Sequence, residues 1–362
     1  MGRGALLRRL LLVPLTLFGV AVVVFVLLRV VPGNPVAMMI PPGASQADVD
    51  RLMAQYGLDL PILDQFFVWI GQIASGDFGT SISRRQDVMA LILGRLPATL
   101  ELVAIAILIA LVLGAALALT GAYFRRRLPE WLVDGFVALA LAIPDFLWGL
   151  LFILLFGVLW PVMPISGRID PRLGAEFHTG FYLVEALVTG QWSLAGGLLR
   201  HALLPAVALA LPLAAIVTRV FKTSLGEAEL QDYAQVARAR GLSRSRVLIR
   251  EAMPNAAIST VTLAGVQVTF LIGGTVLVER IFSYEGIGNM AVDAMINRDL
   301  PLIQGLVLVF AVIFIALNLA IDLLFSYFHD ADIGPEERLP IVLVPRVHRR
   351  EPGKRNGELP LH

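Results

Sequence analysis

The sequence predicts an all-α polytopic membrane protein with six transmembrane helices. Three observations carry that prediction. Hydrophobic residues make up 57% of the 362 residues and charged residues only 16%, against about 25% charged in soluble domains. Mean hydropathy is +0.78. The apolar residues fall in runs of about 20, the length an α-helix needs to cross about 30 Å of hydrocarbon.

The runs cover 10–28, 102–123, 133–159, 202–218, 256–278 and 302–321. The first follows Arg8 and Arg9 as a signal peptide would. It is longer than a 7–15 residue signal core and no A-x-A site follows, so it reads as an uncleaved span. The fourth is the shortest and contains Pro205 and Pro212. A buried or broken helix is the alternative there, and a span is the preferred reading.

Orientation follows the lysines and arginines. Placing the N-terminus inside puts most of the 29 basic residues in the N-terminal segment, the 2–3 loop, the 4–5 loop and the tail. Both termini are therefore expected in the cytoplasm. The chain divides into 1–31 (N-terminal segment and first span), 32–97 (outer loop), 98–330 (transmembrane core) and 331–362 (a Pro-, Arg- and Glu-rich tail expected to be disordered).

The outer loop carries its own helix signals. Ser45 and Asp48 fit a capping box, with Val49, Leu52, Met53 and Tyr56 at helical spacing and Gly57 as a stop. Pro61 opens a second helix with Leu63, Phe66, Phe67 and Ile70 on one face, ended by Gly76. Two small helices on the membrane surface and a docking platform for an external protein both fit. The 3–4 loop, rich in Pro and Gly, reads as irregular. In the last outer loop Gly286 and Gly288 suggest a turn, followed by a short helix through Met290, Val292 and Met295. An isolated G-x-G is weak support for a nucleotide site.

Catalytic patterns are not found. There is no G-x-x-x-x-G-K-[ST], H-E-x-x-H or G-x-S-x-G. Cysteine is absent, and the five histidines are scattered along the chain. The expectation is a chain without catalytic residues, metal site or bound cofactor. A net charge of +1 gives no reason to expect a nucleic-acid partner; lipid is the expected surround. Asp145, within an apolar stretch, needs a cavity, a partner or a second subunit to offset a cost of about 2.5–3.5 kcal/mol; alternatively Pro144 breaks the helix and lifts it to the interface. Glu279 and Arg280 mark the outer end of the fifth span. Their alternatives are an anchor or, for Glu279, a place in the pathway.

The 4–5 loop, 231–254, combines arginines with a small-residue stripe. Asp232 is placed to cap a helix running to Arg240, Gly241 suits a left-handed end, and Ser243 offers a fresh cap. Ala234, Ala237 and Gly241 form the stripe, flanked by Tyr233, Val236 and Arg240. Such a helix fits a groove on an acidic cytoplasmic protein, or is a solvated basic loop.

This loop resembles the coupling loop of ABC-importer permeases, E-A-A-x-x-x-G-x9-I-x-L-P. Ala237, Gly241 and Pro254 fall in register and Met253 stands for leucine, while Gln235 and Glu251 depart from the pattern. "DYAQVARARGLS" is similar to the dipeptide/oligopeptide/nickel branch. "RLPATLEL", "PISGRI", "HALLPAVAL", "FSYEGIGNM" and "RDLPLIQG" follow in that branch's order, so the likeness runs over about residues 5–330. The resemblance implies a type I ABC importer transmembrane domain in a bacterial inner membrane, with a cytoplasmic coupling helix. It implies a second homologous permease, two ATPases that carry ATP and magnesium, and an extracytoplasmic solute-binding protein. Tyr233, Ala234, Ala237, Arg238, Ala239, Arg240, Gly241, Leu242, Ser243 and Pro254 would couple to an ATPase. Asp145 and Glu279 would belong to the pathway. The alternative function is an ion-coupled secondary transporter using Asp145.

Overall fold

A computed structural model describes residues 3–30 and 60–332, together with Ser45 and Ala47. The capping box and first helix expected in the outer loop, and the tail beyond 332, lie outside the described residues. The helices are α1 (Arg3–Val30), α2 (Ile62–Ala74), α3 (Val88–Tyr123), α4 (Leu128–Ala142), α5 (Asp145–Phe152), α6 (Tyr182–Val188), α7 (Trp192–Ala228), α8 (Asp232–Ala239), α9 (Met253–Ile281), α10 (Ile287–Ile296) and α11 (Leu300–Asp332). Among the described residues there is no strand beyond an isolated bridge between Thr80 and Asp87.

The expected six spans are not reproduced as six long helices. Four described stretches are long and apolar enough to cross a membrane: Val88–Tyr123, Trp192–Ala228, Leu263–Ile281 and Leu300–Leu323. The expected span 133–159 is bent by 102° between α4 and the segment from Asp145 to Leu159. Ile143 is extended and Pro144 begins the new helix, as expected where Pro lacks an N–H and disfavours a helical residue before it. α1 is a continuous helix of 28 residues that covers the expected first span. The expected short span 202–218 is instead one continuous helix of 37 residues through both prolines. Its middle is the most enclosed of the four long helices, so neighbouring helices surround the freed carbonyls.

The core is built on matched small faces of α3 and α7. On α3, Ala98, Leu102, Ala106, Ala110, Gly114, Ala118 and Ala122 recur every fourth residue and are all buried. On α7 the same spacing gives Ala202, Ala206, Ala210, Ala214 and Thr218. Four-residue ridges of small side chains let two backbones approach closely. At the crossing, a Cβ on Gly114 would lie 2.7 Å from Val217 Cγ1. The Thr218 hydroxyl donates to Ala214 O at 2.7 Å and lies 3.3 Å from Gly114 O.

α2 packs its Phe66 against Phe18 and Phe25 of α1, with ring centroids 5.8 and 5.3 Å apart. The single apolar face expected for α2 is divided: Phe66 is buried, while Leu63 and Phe67 are exposed.

Candidate functional site

The bundle has a basic end, which carries 229–252, and a far end, where α3 begins. At the basic end α8 is short, with Asp232 in its first turn near the positive helix terminus. Its end is a Schellman turn. Gly241 N–H donates to Arg238 O at 2.9 Å and Leu242 N–H to Ala237 O at 3.3 Å, with Gly241 at φ +81°. Glycine adopts that conformation without the Cβ penalty. One helical turn at Arg244–Arg246 and a π-helical stretch, Val247–Ala252, then lead into α9.

One expected cap is corrected: Gln231 precedes α8 and Asp232 is already inside it. Ser243 stands at the expected N-cap of the turn Arg244–Arg246, without a side-chain cap bond. The expected small stripe is divided, with Ala234 and Ala237 turned inward and Gly241 exposed. Ala234 and Ala237 are buried against Val247 and Leu242 of the same segment. Their small methyl groups let the following stretch of this chain come close. Arg238 likewise pairs within the chain, its Nη2 3.3 Å from the buried Glu229 carboxylate. Within 229–252, Leu230, Tyr233, Val236 and Ile249 are the exposed large apolar side chains. Ala239, Arg240, Gly241, Ser243 and Pro254 are exposed and Leu242 half-buried.

The segment is fastened to the bundle by Arg244. Its Nη2 donates to Ala122 O at 3.0 Å, and its guanidinium lies 5.9 Å from the Tyr123 ring centre. Ala118 and Ala122 of α3, Phe221 and Leu225 of α7, and Leu248 and Ala252 complete an apolar cluster beside it. Lys222 of α7 pairs with Glu130 and Asp134 of α4.

Three buried polar anchors organise the far end. Glu279, expected as an anchor or pathway residue at the outer end, has no exposed surface. It accepts from Thr99 Oγ1 at 2.6 Å and from Asn289 N–H at 3.0 Å. Gly286 and Gly288 leave the space its carboxylate fills: a Cβ on either would collide with that carboxylate. The G-x-G pair thus serves close approach at the start of α10. Arg280 points outward and pairs with Asp293 at 2.8 Å. The second anchor is Glu101, which meets Arg168 of the 3–4 loop at 2.6 Å with both side chains buried. Glu101 also accepts from the N–H groups of Leu183 and Val184, while Arg168 stacks 3.9 Å above the Tyr182 ring. Burial pushes the neighbouring Tyr284 phenol up to about 12. The third is Asp299, which takes the hydroxyls of Ser81 at 2.6 Å and Ser83 at 2.7 Å.

Asp145 begins α5 and is half-buried; it accepts from Phe146 N–H at 2.7 Å. Its carboxylate fills the space a side chain at Gly274 would occupy. Asp145 and Glu279 rest against different neighbours, Asp145 at Gly274 and Glu279 at Thr99, Gly286 and Gly288. Among the described residues no cluster of three or more His, Asp or Glu is placed to hold a metal. Residues 164–171, with His201 and Glu285, line a recess of about 510 Å³.

The sequence reading did not single out Glu101, Arg168, Asp299 or Arg244. Charged side chains beside apolar runs, within α3 for Glu101 and in turns for Arg168 and Asp299, were the available signal for these three. Arg244 looked like its neighbours in an arginine-rich loop. The alanines spaced by four were legible and went unread.

A family model described as binding-protein-dependent transport system inner membrane component matches residues 110–331. A companion model for the N-terminal part of such components matches residues 3–103. The chain is 36% identical over 326 residues to the di/tripeptide transport system permease protein DppB of Pseudomonas aeruginosa, covering 88% of this chain and 95% of that one. It is 35% identical to the dipeptide transport system permease protein DppB of Escherichia coli K12, covering 89% and 96%. It is 32% identical to the oligopeptide transport system permease protein AppB of Bacillus subtilis, covering 88% and 95%.

Proposed function

The chain belongs to the family of binding-protein-dependent transport system inner membrane components, and on that premise we propose that it is a permease subunit of an ATP-driven importer of peptides. The solute class follows from the names of the relatives similar to it over most of its length. With a second permease it forms the pathway. Two ATPases dock at the basic end and hold the ATP and magnesium, so hydrolysis is theirs. An extracytoplasmic binding protein delivers the peptide to the far end. The basic end and both termini face the cytoplasm of a bacterial cell.

The observation that carries this reading is the basic-end platform. α8 exposes Tyr233 and Val236 beside arginines, while its alanines pack it against Val247 and Leu242 of the segment that leads into α9. An apolar ledge with a cationic rim, rigidly mounted, is what a groove on another protein can grip. Segment 231–254 is therefore the ATPase-docking element, with Tyr233, Val236 and Arg240 as its contact face.

The test is reconstitution with the second permease, both ATPases and the binding protein in proteoliposomes. Uptake of labelled di- or tripeptide is expected to require ATP and every component. Uptake by this chain alone under an ion gradient would favour the secondary-transporter reading instead.

A further inference from the structure

We infer that Arg244 is a positioning residue that makes α3 move with the docked segment, and that α3 carries this motion to both far-end loops. The inference rests on the reading of 231–254 as the ATPase-docking element.

α7 is joined to α8 through the chain itself, so a pull on α8 reaches α7 directly. α3 has no such link. It meets the segment through Ala118 and Ala122 against Leu248 and Ala252, smooth contacts over which helices can slide. Arg244 supplies the directional tie. The last four carbonyls of a helix lack intrahelical donors, and Ala122 O is one of these. A guanidinium there satisfies an open acceptor and sits at the negative end of the helix dipole. The Tyr123 ring beside it restricts where the guanidinium can go.

α3 can transmit what it receives. From Glu101 to Ala122 it runs about 32 Å at 1.5 Å per residue, and its four-spaced small face is pressed along α7. At the far end Thr99 holds the start of α10 by accepting from Ile287 N–H at 2.9 Å. Two residues on, Glu101 holds Arg168 at 2.6 Å and the start of α6. One helix thus carries both loops at one end and Arg244 at the other. Hydrogen bonds are made at both ends, so little slack separates them.

The experiment reads peptide taken up per ATP hydrolysed in the reconstituted full complex. Arg244→Ala is expected to lower uptake per ATP hydrolysed about tenfold or more, a ratio that weaker ATPase binding alone would not change. Arg244→Lys, which retains a charged donor for Ala122 O, is expected to recover most of the ratio. The absence of cysteine permits a second test that does not depend on loss. In Arg244→Cys with Tyr123→Cys, a short bifunctional thiol reagent should restore the ratio that the untreated double variant lacks. A normal ratio in Arg244→Ala, or no restoration by the cross-link, would overturn the inference. A wild-type complex that fails to import would instead sink the reading on which it rests.

Discussion

Thr99 and Glu279 lie 180 positions apart and meet through one hydroxyl, which donates to Glu279 Oε1 at 2.6 Å and accepts from Ile287 N–H at 2.9 Å. The carboxylate closes the start of α10 and leaves no room for side chains at Gly286 and Gly288. A Cβ on Gly288 would also lie 2.7 Å from Val276 Cα, which is backbone and cannot turn aside. Gly288→Ala should therefore destabilise by about 1–3 kcal/mol. Glu279→Ala should relieve Gly286→Ala but not Gly288→Ala. Thermal unfolding of the purified chain, compared across the two double variants, checks this. Equal rescue of both would contradict it.

The Glu101–Arg168 pair should show the asymmetry of buried ions. Arg168→Met alone strands a buried carboxylate, at a cost of about 3–5 kcal/mol. Replacing both, with Glu101→Gln and Arg168→Met, should cost less than Arg168→Met alone. A double-mutant cycle on unfolding free energy measures the difference. Simple additivity would mean that the pair is not coupled.

Asp299 should give the far end an acid-sensitive fastening. Burial raises its pKa, but the hydroxyls of Ser81 and Ser83 and the N–H groups of Ser83 and Ile82 outweigh burial and hold it below the usual value. A group depressed in the folded state contributes stability that is fully present above the unfolded pKa of about 3.9. That contribution is lost as pH falls through the lower folded value. Wild type should thus lose stability below about pH 4 more steeply than Asp299→Asn, as read from melting temperature against pH. Parallel curves would remove Asp299 as the cause.

Orientation has a direct check in a chain without cysteine. Glu176→Cys, in the 3–4 loop, and Ser243→Cys, after α8, are both exposed. An impermeant thiol reagent on intact spheroplasts should label the first, and the second only after lysis. Labelling of both from outside would reverse the assignment of the basic end.

The all-α membrane architecture was legible because hydrocarbon thickness fixes the length of an apolar run. The left-handed Gly241 was legible because few residues tolerate that backbone. The direction of the Ala234–Ala237 stripe was not. Helical spacing says which residues share a face, but not whether that face meets a partner or the same chain. Val247 answers it, and nothing in Val247 alone announces the contact. The anchoring place of Glu279 at the end of a span was legible, but its burial was not, because Thr99, 180 positions away, helps to enclose it.

The inward turn of that stripe changes which substitutions should break docking. If Tyr233 and Val236 are the contact face, Val236→Asp places a charge in an apolar contact and should weaken ATPase association tenfold or more. The melting temperature should stay near wild type, since Val236 is 49% exposed. Ala237→Leu should behave differently. It overfills the contact with Val247, at about 1–3 kcal/mol, and should lower stability and docking together. Arg238→Gln should lower stability as well as docking, because it leaves the buried Glu229 carboxylate without its cation. Gly241 separates two causes. A Cβ there meets nothing within 4 Å, so Gly241→Ala costs only the left-handed strain, roughly 1–2 kcal/mol. Any larger loss of docking must come from a partner pressed against it. Co-purification of the ATPases and solute-stimulated ATP hydrolysis, each set beside melting temperature, distinguish these cases. Full co-purification and stimulation in Val236→Asp would show that α8 is mounted on the bundle for some purpose other than docking.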